Sequence, residues 1–161
     1  MVFDDSQYRK GYSIGVGAVV KHQNCVLLVH RILGDDRGDW AIPGGFIEQG
    51  ETVDVAVRRE VREEAGVEGE LTGLIGVRNR LYERENSIYL IFLLDASKKG
   101  TRPDGIEVDN AKFFTVAEMQ TLPKLQPLSK LVATQVLQGK VKILTLPTRF
   151  DLLSNTYKLY M

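Results

Sequence analysis

The sequence predicts an α/β domain in which a mixed β-sheet carries helices on its faces. Three observations lead there. Ser13–Ile32 contains two β-rich apolar runs, Thr52–Ala65 repeats apolar residues at helical spacing between a start and a stop signal, and further strand-like runs precede a second helical stretch. At 161 residues the chain has the length of one domain, residues 1–161, with a tail from about residue 139 whose packing the sequence leaves open.

The elements follow in order. The polar break Lys21–Asn24 splits the first two strands as a hairpin would. GDDRGDWAIPGG, residues 34–45, is dense in turn residues and reads as an irregular loop. Thr52 suits the amino-terminal cap of the helix, Asp54 its positive first turn, and Gly66 its stop. Leu71–Val77, Ser87–Leu94 and Ala111–Thr115 read as strands, and Pro127–Leu137 as a helix. In the tail, VKILTL is strand-like, while RFDLLSNTYKLYM fits either strand or helix.

Composition excludes several classes of partner. Twenty-one basic and twenty-one acidic side chains leave no net field to attract nucleic acid or an anionic membrane. A single cysteine, Cys25, allows no internal disulfide and reads as a small buried residue. The first ten residues, MVFDDSQYRK, lack the apolar run of a signal peptide, and no stretch approaches the roughly twenty apolar residues of a membrane span. The expectation is a cytoplasmic protein whose partner is a small molecule.

The chemistry concentrates on the first helix. At 100° per residue, Val53, Val57 and Val61 form one stripe, and Glu60, Glu63 and Glu64 fill the sector beside it. Like charges three and four residues apart repel unless something cationic sits among them. A hard divalent cation such as Mg²⁺, which takes carboxylate oxygens and often shares a substrate phosphate, fits that pattern. A charged helical face taken alone is more often simply solvated.

The spacing of the whole stretch argues against plain solvation. Gly45, Glu51, Arg59, Glu60, Val61, Glu63, Glu64, Gly66 and Val67 stand at the intervals of the Nudix box. The chain therefore resembles the Nudix hydrolase family, whose members split a phosphoanhydride bond in a nucleoside diphosphate linked to another group, with water and a divalent metal. The resemblance implies an α/β/α sandwich around a mixed sheet, and Mg²⁺ as cofactor with Mn²⁺ able to substitute. It implies Glu60, Glu63, Glu64 and the Gly44 carbonyl as metal ligands, Glu60 serving as ligand or base. It also implies that Arg59 orients Glu60, that Glu51 supports it from behind, and that Gly45 allows close backbone approach. The general base varies within the family, and Glu107, after the turn Pro103-Asp104-Gly105, is the candidate here.

Other residues carry two readings each. Arg31, Arg78 and Arg80 are grips for a substrate phosphate or ordinary surface charges, and Trp40 stacks on a base or packs in the core. Tyr82 and Tyr89 line a pocket or cover the core. Gly-Gly-Phe, with Phe46, recurs among enzymes acting on ADP-ribose and nucleotide sugars, so that substrate type leads. A nucleoside triphosphate pyrophosphohydrolase that sanitises oxidised nucleotides and a non-catalytic nucleotide sensor are the alternatives. Phe150, Leu152, Leu153, Tyr157 and Tyr160 give the tail an apolar surface that either a second copy covers in a homodimer or the domain itself does.

Overall fold

The computed structural model describes residues 11–82, 85–146 and 158–161. Seven strands form one sheet: β1 (Tyr12–His22), β2 (Cys25–Arg31), β3 (Trp40–Ala41), β4 (Gly44–Phe46), β5 (Gly69–Tyr82), β6 (Glu85–Ala96) and β7 (Val108–Phe114). The main path runs β3-β2-β1-β6-β5, with β4 paired to β1 and β7 to β2. Only β1 and β6 run parallel, so the sheet is mixed, as expected. Among the described residues three helices cover it: α1 (Val53–Ala65), α2 (Val116–Thr121) and α3 (Pro127–Leu137).

Central β1 is buried without interruption from Val16 to Val20, since helices cover both faces of the sheet there. On one face Val16, Val20, Leu27, Val29 and Phe92 meet Val57, Val61 and Ala65 of α1. On the other, Val19, Leu28, Ile91, Leu93 and Phe114 meet Met119 of α2 and Ala133 and Val136 of α3. Each such side chain contributes about 1.5–3 kcal/mol by leaving water, and together they fix α1 against β1 and β4.

The helix predicted from Thr52 starts at Val53, with Thr52 extended before it. Thr52 does not cap by its side chain, because its hydroxyl donates to Asp54 Oδ1 at 2.6 Å. Gly66 ends the helix as foreseen, in the left-handed conformation with φ +64°.

Three expectations need correction. Residues 34–45 are not wholly irregular, for Trp40–Ala41 and Gly44–Phe46 pair with β2 and β1. These strands are too short to form without that pairing. Val141–Leu146 is not a strand among the described residues, because only Leu144 makes a bridge, to Leu74. Helix α2 was not foreseen at all, although TVAE carries its start signal. The Thr115 hydroxyl accepts the Glu118 N–H, and the Glu118 carboxylate accepts the Thr115 N–H at 2.7 Å. Thr115→Ala is expected to cost about 1 kcal/mol through loss of this cap, visible as a lower midpoint in urea unfolding.

Of the apolar tail residues, Phe150, Leu152, Leu153 and Tyr157 lie outside the described residues, while Tyr160 packs edge-on against Phe92 at 5.4 Å. No helix among the described residues is long and apolar enough to cross a membrane.

Candidate active site

Packing the valine stripe of α1 against the sheet turns Glu60 and Glu64 inward, beneath β4. Glu64 is 2% exposed and Glu60 9%, whereas the Glu63 side chain is half exposed. Glu64 Oε1 accepts from Arg31 Nη1 at 2.8 Å, and Oε2 accepts from the Gly44 N–H at 2.9 Å. The second Arg31 nitrogen donates to the Gly44 carbonyl at 2.6 Å. Arg31, Glu64 and Gly44 thus close a ring of hydrogen bonds between three elements.

A second arginine organises the outer half. Arg59 forks onto Glu51 with bonds of 2.7 and 3.1 Å, and the same guanidinium donates to Glu60 at 2.8 Å, to Glu63 at 3.1 Å and to the Phe46 carbonyl at 3.1 Å. Glu51 also accepts the Glu48 N–H, which ties the turn before α1 into the network. Arg59→Ala is expected to cost about 3 kcal/mol, the usual result of stripping the partner from buried carboxylates. Thermal unfolding of the variant checks it.

Electrostatics follows from this placement. Burial pushes the Glu64 carboxyl up to about 7, although Arg31 and the Gly44 N–H pull the other way. Burial raises Glu60 too, against the opposing pull of Arg59. Glu51 goes down, because Arg59 hydrogen-bonds to its charged form. For both inward carboxyls, burial outweighs the pull of the guanidinium groups beside them.

Arg31, Gly44, Arg59, Glu60 and Glu64 line a cavity of about 540 Å³, together with Phe46, Arg78, Tyr89 and Glu107. The Arg78 guanidinium lies 5.4 Å from the centre of the Tyr89 ring and donates to the Ser87 hydroxyl at 3.1 Å. Tyr89 in turn rests on Gly15 and Gly17, where any β-carbon would strike its ring. Burial keeps its phenol protonated well above the ordinary range. Phe46 is 69% exposed at the mouth. Glu107 sits on a loop pinned by Asp104 Oδ1, which accepts three successive N–H groups, including that of Glu107.

The structure brings together Glu51, Arg59, Glu60, Glu63 and Glu64 with Gly44, Gly45, Arg31, Phe46, Arg78 and Glu107. Trp40 lies elsewhere, between the His30 ring at 5.3 Å and the Phe114 ring at 5.1 Å on the opposite face of the sheet. Arg80 is two residues along β5 from Arg78 and does not line the cavity. The side chain of Tyr82 is outside the described residues. Sequence reasoning missed Asp35, Asp36 and Leu128 of the cavity wall, for which loop and helix patterns offer no signal.

Glu60, Glu63, Glu64 and the Gly44 carbonyl offer hard oxygen donors of the kind that Mg²⁺ and Mn²⁺ take. Among the described residues, no three carboxylate, imidazole or thiol groups stand close enough to one point to share an ion as they are now placed. Arg31 and Arg59 bond the oxygens of Glu60, Glu63, Glu64 and Gly44 instead. The donor set fits a divalent cation in chemistry and in charge.

Known proteins resemble this chain. A family model described as NUDIX domain matches residues 11–135. An ADP-ribose pyrophosphatase of Methanocaldococcus jannaschii is 35% identical over 115 residues, covering 70% of this chain and 66% of that protein. The NAD-capped RNA hydrolase NudC of Vibrio vulnificus is 33% identical over 110 residues, covering 68% of this chain and 40% of its own length. The chain thus spans just under two thirds of the first relative and two fifths of the second. The crystal structure of a MutT NUDIX hydrolase from Burkholderia pseudomallei matches with a TM-score of 0.67 at 26% identity, over 78% of this chain and 98% of that one. With the family model covering most of its length, the chain belongs to the Nudix family.

Proposed function

We propose that the protein hydrolyses a phosphoanhydride bond in a nucleoside diphosphate linked to another group, of the ADP-ribose or nucleotide-sugar type. One observation carries this reading: two buried carboxylates, Glu60 and Glu64, face a cavity that also presents Arg31 and Arg78. Its volume of about 540 Å³ falls in the range that holds nucleotide-sized ligands. The kinship with an ADP-ribose pyrophosphatase favours that substrate class over triphosphates.

Family members generally use divalent metal ions, and Mg²⁺ is the proposed cofactor, with Mn²⁺ as substitute. Glu60, Glu63, Glu64 and the Gly44 carbonyl would hold the cation, whose chemistry there is to neutralise phosphate charge and acidify water. Arg59 keeps Glu60 and Glu63 aimed inward while Glu51 holds Arg59, the support that makes such a site rigid. Arg31 and Arg78 face the phosphates with forked donors. Tyr89 forms the floor on which Arg78 lies. Glu107, across the cavity from α1, takes the proton from the attacking water. A cytoplasmic setting belongs to the same reading.

The test is product release from ADP-ribose, a nucleotide sugar, NADH and oxidised dNTPs with Mg²⁺. The expected result is highest kcat/KM on a diphosphate derivative. Turnover of triphosphates alone would replace the substrate class, and tight nucleotide binding without any turnover would make the protein a sensor.

A further inference from the structure

Arg31 bonds two of the groups proposed to hold the cation. It reaches from the end of β2 across to α1, thirty-three residues on in sequence, and its side chain is only 16% exposed. Its two terminal nitrogens take Glu64 Oε1 and the Gly44 carbonyl at 2.8 and 2.6 Å. Those are two of the four groups assigned to the metal. A guanidinium presents its donors in a fixed plane, so one side chain satisfies both oxygens at once. It therefore acts as the resident counter-charge of a carboxylate that is 2% exposed.

Two cations cannot share those oxygens at close range without strong repulsion in so dry a site. Arg31 also lines the cavity that Arg78 borders, so a guanidinium released from Glu64 remains beside the substrate space. We propose that Arg31 is an exchangeable counter-cation: it holds Glu64 and Gly44 while metal is absent, and lets go of them when a divalent cation arrives. The freed guanidinium then serves a substrate phosphate. Metal and phosphate binding become coupled through this one side chain, each strengthening the other. The exchange rests on the divalent-metal reading given above.

Two measurements test it without reference to turnover. Mn²⁺ affinity is determined by calorimetry on the parent chain and on Arg31→Gln, with no nucleotide present. The variant should bind roughly tenfold more tightly, within the usual range of coupling between sites, since the competing charge is gone. Equal or weaker binding overturns the exchange. In the parent chain alone, the Arg31 Nε–H NMR resonance is followed while Mg²⁺ is added. A shift that saturates with the metal supports release, and an unmoved resonance at saturation overturns it even if the variant folds poorly. Should Mn²⁺ bind neither protein, the metal reading itself falls and the exchange goes with it.

Discussion

Glu64→Gln is expected to lower turnover at least about a hundredfold, the scale on which removing one preorganised charged group from a transition state is felt. The replacement has the same shape but no charge, so the cleft loses its most deeply buried anion. It also loses pairing. Both partners of the carboxylate, Arg31 Nη1 and the Gly44 N–H, are donors, so the amide nitrogen must face one of them. That mismatch costs on the order of 1–3 kcal/mol, offset in part because a desolvated charge has been removed.

The same variant has a signature in pH. In the metal-free protein the Glu64 carboxyl is raised from 4.5 to about 7. A raised carboxyl binds its proton more tightly in the folded state than in the unfolded chain. Its contribution to stability is thus complete below about 4.5 and is lost as pH rises through about 7, a change of about 3 kcal/mol at most. Urea unfolding with EDTA at about pH 5 and about pH 8 should show the parent losing more stability than Glu64→Gln over that interval. Parallel behaviour of the two proteins would refute the assignment of the shift to this residue.

What the sequence revealed and what it hid have separate physical causes. Helix α1 was legible because its stop signal, its valine stripe and its carboxylates all obey one local period, and periodicity survives without tertiary information. The same period put Glu60, Glu63 and Glu64 beside that stripe, where the structure buries Glu60 and Glu64 and leaves Glu63 half exposed. The contacts that complete the cleft are of another kind. Arg31 meets Glu64 only because β2 ends beside the carboxyl end of α1, and Tyr89 fits over Gly15 because β1 and β6 pair in parallel with those two residues in register. No local pattern encodes either meeting. Strands β3 and β4 escaped for the same reason, since pairing alone makes them strands. Trp40 was ambiguous until register with His30 set its ring on the face of Phe114.

The adjacent glycines of β4 should respond in opposite ways to one added methyl group. At Gly44 the backbone has φ +154°, which L side chains rarely adopt. A β-carbon there would collide with the Val16 carbonyl oxygen and the Tyr89 hydroxyl, and would approach the Gly17 Cα at 2.6 Å. Two of those obstacles are backbone of the central strand, which pairs on both sides and cannot retreat. Gly44→Ala is therefore expected to cost about 3 kcal/mol or more, the combined scale of backbone strain and overpacking. At Gly45 the three atoms nearest the new carbon all belong to the Glu60 carboxylate, with Oε1 at 2.6 Å. That is the far end of a flexible side chain, so the chain can stay folded while Glu60 swings out of its bond with Arg59. Gly45→Ala should keep its unfolding midpoint to within about 1 kcal/mol of stability and lose most of its turnover. The pair separates fold from chemistry at neighbouring positions: a stable Gly44→Ala, or a fully active Gly45→Ala, would mean that the backbone of β4 and the carboxylate of Glu60 are not packed together as described.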